Sequence, residues 1–186
     1  MNFDFVGFFD VSRFKDILEN INDDIWKKHK TRQTIFEAHK HTETIELMWD
    51  MESLNSGTSG KIHQNFYDLD IDGLLEGLEP VYAKKYGKGE FLRVLLVKLK
   101  SGKMIYPHSD SGESLSDVKR THVAVITNPN VIFTVGGENK NMKEGEIWEI
   151  NNQSLHSVRN DSEYDRVHFI IDYMINRTKK TSKSLL

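Results

Sequence analysis

The chain has 186 residues, with 28 acidic against 25 lysine and arginine side chains and a formal net charge of −3. That balance argues against a general nucleic-acid binder, which needs a concentrated basic face. There is no cysteine, so disulfides, thiolate metal sites and cysteine nucleophiles are excluded. A chain of this length, 38% hydrophobic and 28% charged, fits one domain over residues 1–186, burying roughly 70% of its unfolded surface. Met1-Asn2-Phe3-Asp4-Phe5 has neither the positive start nor the apolar run of a signal peptide. No apolar stretch approaches the ~20 residues of a membrane span. The expectation is a soluble, cytoplasmic protein with no membrane or nucleic-acid partner, in which the Asn-x-Ser/Thr triplets at Asn152, Asn160 and Asn176 are chance matches.

In chain order, residues 12–28 read as one helix: Phe14, Ile17, Leu18, Ile21 and Ile25 recur at helical spacing, and Ser12 is placed to cap the start. Residues 31–49 are β-branched and aromatic in loose alternation and read as one or two strands. Residues 54–60 form a Ser/Gly loop. A second helix covers residues 70–86, where Ile71, Leu74, Leu75, Leu78, Val81 and Tyr82 make a stripe and Gly87 ends it. From Phe91 onward the pattern is strand after strand, over residues 91–99, 120–127, 131–135, 146–150 and 166–173, with turn chemistry between them. Short strands at this spacing predict a sandwich or barrel. The expected architecture is mainly β with flanking helices: a double-stranded β-helix (a cupin-like jelly roll) over residues 91–173, a helical and strand jacket over 1–90, and a frayed basic tail over 174–186.

Chemistry concentrates in Tyr106-Pro107-His108-Ser109-Asp110, answered by His156 and then Arg166. Two imidazoles and one carboxylate form a facial triad, which holds Fe(II) on one face and leaves the other open for dioxygen and a cosubstrate. Alternation along a strand places His108 and Asp110 on the same side of a sheet. Taken alone, His-x-Asp is a frequent chance triplet. The later His and Arg in order are what raise it. Arg166 enters an apolar strand, Arg166-Val-His-Phe-Ile-Ile-Asp-Tyr173, where it needs an anionic partner. That partner is a bound dicarboxylate such as 2-oxoglutarate, or alternatively Asp172, Asp165 or Glu163. Arg120 and His122 share a face of their strand and are placed to hold a second carboxylate, of cosubstrate or substrate; an incidental half-exposed pair fits the spacing nearly as well.

His108-Ser-Asp110, Arg120-Thr-His122, Glu144-Gly-Glu-Ile-Trp148, His156-Ser-Val-Arg-Asn160 and Arg166-Val-His-Phe-Ile-Ile-Asp172 together resemble the aspartyl/asparaginyl β-hydroxylase family of Fe(II)/2-oxoglutarate oxygenases, over roughly residues 91–173. The resemblance implies iron ligation by His108, Asp110 and His156. It implies 2-oxoglutarate binding by Arg166, with Arg120 and His122 near the cosubstrate's other end or the substrate. Asp110 departs from the secretory-pathway members, which carry a small residue there, and is similar to the bacterial amino-acid hydroxylase branch. The implied activity is hydroxylation of an aliphatic C–H of an amino acid, or of an aspartyl, asparaginyl or prolyl residue on a peptide. The alternatives are a non-catalytic cupin-type module that binds a metal or small acid, and a metal-dependent isomerase on the same fold. His39 and His41 read as exposed polar positions, and His29 and His63 as surface residues. His168 reads as a buried or supporting residue, and Trp26 and Trp49 as core.

Overall fold

Strand β10, Arg166–Ile175, is buried along both faces for most of its length, and its two faces differ in kind. Val167, Phe169, Ile171 and Tyr173 belong to one apolar cluster, whereas Arg166, His168, Ile170 and Asp172 alternate with them. A strand packed on both sides has this near-continuous burial. In the computed structural model, which describes residues 1–56, 58–63, 73–110 and 113–176, β10 lies inside a six-stranded antiparallel sheet. The order is β1 (Phe3–Phe8), β8 (Glu146–Ile150), β5 (Lys119–Ile126), β10, β3 (Gly89–Leu99), β2 (Thr42–Met48). A four-stranded sheet has the order β4 (Met104–His108), β9 (His156–Asn160), β6 (Val131–Val135), β7 (Glu138–Lys140). Two antiparallel sheets with apolar residues between them make the expected jelly roll.

One face of the large sheet carries helices. Phe14 of α1 (Ser12–Asn20), Trp26 of α2 (Asp23–Lys28) and Leu74, Leu78 and Tyr82 of α5 (Leu74–Tyr86) cluster with Ile45, Leu47, Val94, Leu96, Val123 and Phe169. Phe14 meets Phe169 edge-on at 5.4 Å. The other face meets the small sheet through Leu99, Ala124 and Ile150 against Ile105, Val131, Phe133 and Val158. Between them lies a smaller cluster of Trp49, Leu95, Val97 and Ile170. Thus the inward positions of β3, β5 and β10 are partly apolar and partly charged.

Several sequence expectations change. The helix expected over residues 12–28 is two helices, because Ile21 is extended and the Asn22 side chain accepts from the Asp24 amide at 2.9 Å. An Asx side chain that bonds local backbone starts a helix more readily than it continues one. Ser12 does not cap α1; its hydroxyl and amide go to Asp10. Residues 31–49 are not all strand: Thr31–Ile35 is α3 and Glu37–His39 a 3-10 turn before β2. The expected loop begins later, since α4 spans Met51–Ser56. Ile71 and the start of the second helix lie outside the described residues, as does the basic tail beyond Asn176. Gly87 does end α5, at φ +86°, its amide on the Ala83 carbonyl. The jacket supplies both edge strands of the large sheet, β1 and β2. Among the described residues, no helix is long and apolar enough to cross a membrane.

Candidate metal centre

His108 ends β4 and His156 begins β9, and the antiparallel register sets them directly opposite. Their ring centroids are 4.3 Å apart. His108 Nδ1 lies 2.7 Å from the Tyr106 carbonyl, and His156 Nδ1 lies 2.9 Å from the Ser154 carbonyl. With Nδ1–H donating in each case, both Nε2 lone pairs are left for a metal, the usual arrangement of a ligating histidine. Asp110 lies just beyond the end of β4, so strand alternation does not place it. Its amide donates to the Asn152 carbonyl at 2.9 Å, and that bond brings its side chain to the same place. Asp110 Oδ1 is 3.8 Å from His108 Nε2, and Oδ2 is 3.9 Å from His156 Nε2. One donor atom from each residue lies within 4.8 Å of the others.

The carboxylate is held from behind. Arg120 Nη1 donates to Asp110 Oδ2 at 2.6 Å, while its Nε and Nη2 both donate to Asp172 at 2.7 Å. Arg93 Nε donates to Asp172 Oδ2 at 2.6 Å. In the register Asp172 pairs with Arg93 on one side and with Arg120 on the other. Burial pushes the Asp110 carboxyl up, but Arg120 and His156 more than offset it and hold it below the usual carboxylate range. Burial, with the Arg120 charge, leaves the His156 imidazole below its usual range, although Asp110 and the Ser154 carbonyl oppose this. A neutral imidazole and an ionised carboxylate are the ligating forms. Arg120 therefore orients Asp110 rather than offering the open fork that its spacing with His122 predicts.

Deeper along β10 lies a second polar group. Arg166 is fully buried, and its Nη2 donates to His168 Nδ1 at 2.5 Å. Its Nε and Nη1 have no partner, nor do His168 Nε2 and His122 Nδ1. Asp172 is taken by the two other arginines and Asp165 by the Ser101 amide at 2.8 Å, so neither neutralises Arg166. Burial alone lowers its pKa to about 9. Burial, and then the Arg166 charge, keep His122 and His168 far below the usual imidazole range. His122 packs edge-on to Phe133 at 4.9 Å and lines the inner cleft that also contains His108, Asp110 and His156. Buried unpartnered donors of this kind call for a ligand.

A cleft of about 320 Å³ opens beside the triad, lined by His108 and Asp110 together with Arg32, Phe36, His39, Trp49, Leu54 and Leu115. Of these, the sequence marks only His108 and Asp110 as site residues. His39, expected to be exposed, is buried in the 3-10 turn, and its ring meets that of His108 at 4.9 Å. Trp49 is buried as expected but also walls the cleft. Arg32 stands in a polar, lysine-rich stretch, where nothing in the sequence marks it. His41 is half-buried, 3.3 Å from the Tyr106 hydroxyl.

His29, Glu46 and His63 also converge. His29 and His63, expected at the surface, are half-buried. His29 Nδ1 is 3.2 Å from Glu46 Oε2, and His63 Nε2 is 2.5 Å from the Trp49 carbonyl. These histidines already have protein partners, and burial raises the Glu46 carboxyl. The group therefore fits a metal less well than the triad does. Trp148 donates to Glu146 at 2.8 Å and packs on Phe5. Asn160 is fully buried, its Nδ2 2.8 Å from the Tyr164 carbonyl and within 3.4 Å of those of Leu99 and Lys100. Both are structural. Replacing Asn160 by Ala is expected to cost about 1–3 kcal/mol, the penalty for buried acceptors left unpaired. Urea unfolding measures it, and a change under about 0.5 kcal/mol would show that water replaces the amide.

A family model described as aspartyl/asparaginyl beta-hydroxylase matches residues 15–175. No curated protein matches the sequence. Among solved structures, the viral collagen prolyl hydroxylase of Paramecium bursaria Chlorella virus-1 is similar with a TM-score of 0.56 at 14% identity, over 94% of this chain and 96% of that one. An oxidoreductase of the 2OG-Fe(II) oxygenase family from Burkholderia pseudomallei gives 0.55 at 14% identity, over 74% and 71%. AviO1 from Streptomyces viridochromogenes gives 0.57 at 13%, over 95% and 91%. Identities this low establish the shared fold and nothing finer.

Proposed function

The chain belongs to the aspartyl/asparaginyl β-hydroxylase family, and from that membership we propose that it is an Fe(II)- and 2-oxoglutarate-dependent dioxygenase that hydroxylates an aliphatic C–H of an amino-acid-like substrate. One juxtaposition carries the reading: a His-Asp-His triad with its Nε2 lone pairs free, in the same barrel interior as a buried Arg166 that has no carboxylate of its own among the described residues. A cupin-type binding module has no need of both. His108, Asp110 and His156 would hold the iron, and Arg166 would take the distal carboxylate of 2-oxoglutarate. Bound there, iron with 2-oxoglutarate and dioxygen supplies the oxidising power that a C–H bond requires.

The protein's own share is positional. The Tyr106 and Ser154 carbonyls fix the two imidazole rings. Arg120, itself fixed by Asp172, turns the Asp110 carboxylate toward the rings. His122, with an unpartnered ring nitrogen and lining the inner cleft, would hydrogen-bond a bound cosubstrate. Phe133, Val158 and Ile170 line the same cleft and limit water. Residues 1–186 act as one oxygenase domain in this reading.

The reading predicts that Arg166→Ala weakens 2-oxoglutarate by roughly 10- to 150-fold, the equivalent of one charge-assisted pair at about 1.5–3 kcal/mol, while iron affinity stays within about threefold. Anaerobic calorimetry of 2-oxoglutarate on the metal-loaded protein measures it. Unchanged cosubstrate affinity would remove Arg166 from the role.

A further inference from the structure

Arg32 is a second buried guanidinium with no ion-paired carboxylate among the described residues. It belongs to α3, is 8% exposed, and its Nη1 has no partner. Its Nη2 lies 3.2 Å from His39 Nε2. The guanidinium must donate in that bond, so His39 accepts at Nε2 and carries its proton on Nδ1. That Nδ1 is also buried and unpartnered. The result is two adjacent side chains, each with an N–H donor that nothing satisfies. Burial, reinforced by Arg32 and His108, keeps His39 neutral, and burial together with the charge on Arg120 lowers Arg32 to about 10. A cationic donor beside a neutral one, both cut off from bulk water, suits an anion.

Place and surroundings narrow the anion. Arg32 and His39 line both the outer cleft and the inner cleft that contains the triad. His39 touches His108 ring to ring, so this donor pair borders the metal ligands directly. The lining is mixed: Trp49, Leu54, Leu95 and Leu115 give it an apolar part, and Glu37 and Asp110 add two carboxylates. A cleft of about 320 Å³ is at the small end of the range of small-molecule sites. Among the described residues, two buried arginines, Arg166 on β10 and Arg32 on α3, thus have guanidinium nitrogens without a hydrogen-bond partner. With Arg166 assigned to the cosubstrate in the oxygenase reading, Arg32 is left for the substrate.

We propose that Arg32, supported by His39, is the substrate-carboxylate subsite, and that the substrate is a small carboxylic acid with an aliphatic or alicyclic body, of free amino-acid size, whose hydrocarbon part lies against Trp49 and the leucines. This deepens the oxygenase reading and rests on it for the word substrate, but the anion site stands on its own geometry.

The test uses the full chain and measures binding. Free proline, leucine, valine and isoleucine, each beside its primary amide, are titrated by thermal shift and calorimetry. One series uses the metal-free protein, the other the protein loaded with Mn(II) and 2-oxoglutarate. At least one acid is expected to bind about 100-fold more tightly than its amide. Arg32→Gln should erase that preference and leave 2-oxoglutarate affinity within about threefold, and Arg32→Lys should restore part of it. Because Arg32 makes no ion pair with a carboxylate among the described residues, the Gln variant should unfold at the wild-type temperature or above. Acids binding no better than amides, no acid binding at all, an acid preference that survives Arg32→Gln, or a loss of 2-oxoglutarate instead of the acid would each overturn the assignment. If the oxygenase reading alone is wrong, the metal-free series still shows the Arg32-dependent preference while metal and 2-oxoglutarate fail to bind.

Discussion

Asp172→Asn is expected to destabilise the fold by about 3–5 kcal/mol, a fall in Tm of roughly 10 °C for a chain of this size. The carboxylate is 1% exposed and accepts from Arg93 on one flank and from Arg120, twice, on the other. Removing its charge leaves two guanidinium groups buried, one with a single remaining acid, Asp110. Burial raises the Asp172 carboxyl, and Arg120 and Arg93 more than offset it, so its folded pKa lies below the ordinary value. A depressed carboxylate contributes stability that is complete above its unfolded pKa of about 3.9 and is lost as pH falls through the folded one. Wild type should therefore lose stability below about pH 4, and Asp172→Asn should show a flatter acid limb. Urea unfolding between pH 3 and 7 checks both. A variant within 1 kcal/mol of wild type at pH 7 would mean that water reaches the cluster and the arginines are not truly buried.

His156→Ala is expected to reduce substrate-dependent succinate release by at least about 10³-fold, the scale on which losing a member of a concerted site is felt. Asp110→Ala should do the same and also cost about 1–3 kcal/mol of stability, because Arg120 Nη1 loses its acceptor. His108→Ala should cost less in stability, since its side chain is 19% exposed. Succinate assays beside thermal melts separate the two effects. An Asp110→Ala protein with near-wild-type turnover would show that two histidines suffice and that Asp110 serves Arg120 alone.

The convergence of His108, Asp110 and His156 was legible because a His-x-Asp after Pro107 and a later His at the head of a strand differ in kind from their surroundings, and Arg166 stands out as an Arg opening an apolar run. Strands β3, β5, β6, β8 and β10 were legible for a similar reason, since turns rich in Gly and Asn punctuate them, whereas β7 falls where the sequence reads as a Gly-Gly-Glu-Asn turn. β1 was missed because Phe3 to Phe8 is short, and its pairing with β8, 138 or more positions away, leaves no local trace. The role of Arg120 was misassigned on strand spacing. Spacing puts Arg120 and His122 on one face, but only the order β5-β10-β3 reveals that Asp172 stands between Arg120 and Arg93. His39 was read as exposed because residues 31–49 looked like strand. The 3-10 turn that brings it against His108 depends on packing over β4, which is tertiary information.

The most direct measurement is an anaerobic titration of Fe(II), then 2-oxoglutarate, followed by visible absorption and iron analysis. Wild type should take up one iron per chain and develop a charge-transfer band only when 2-oxoglutarate is added, with His108→Ala and His156→Ala showing neither. Iron uptake that ignores both substitutions, or a band that never forms, would contradict the assignment of this barrel interior to oxygenase chemistry.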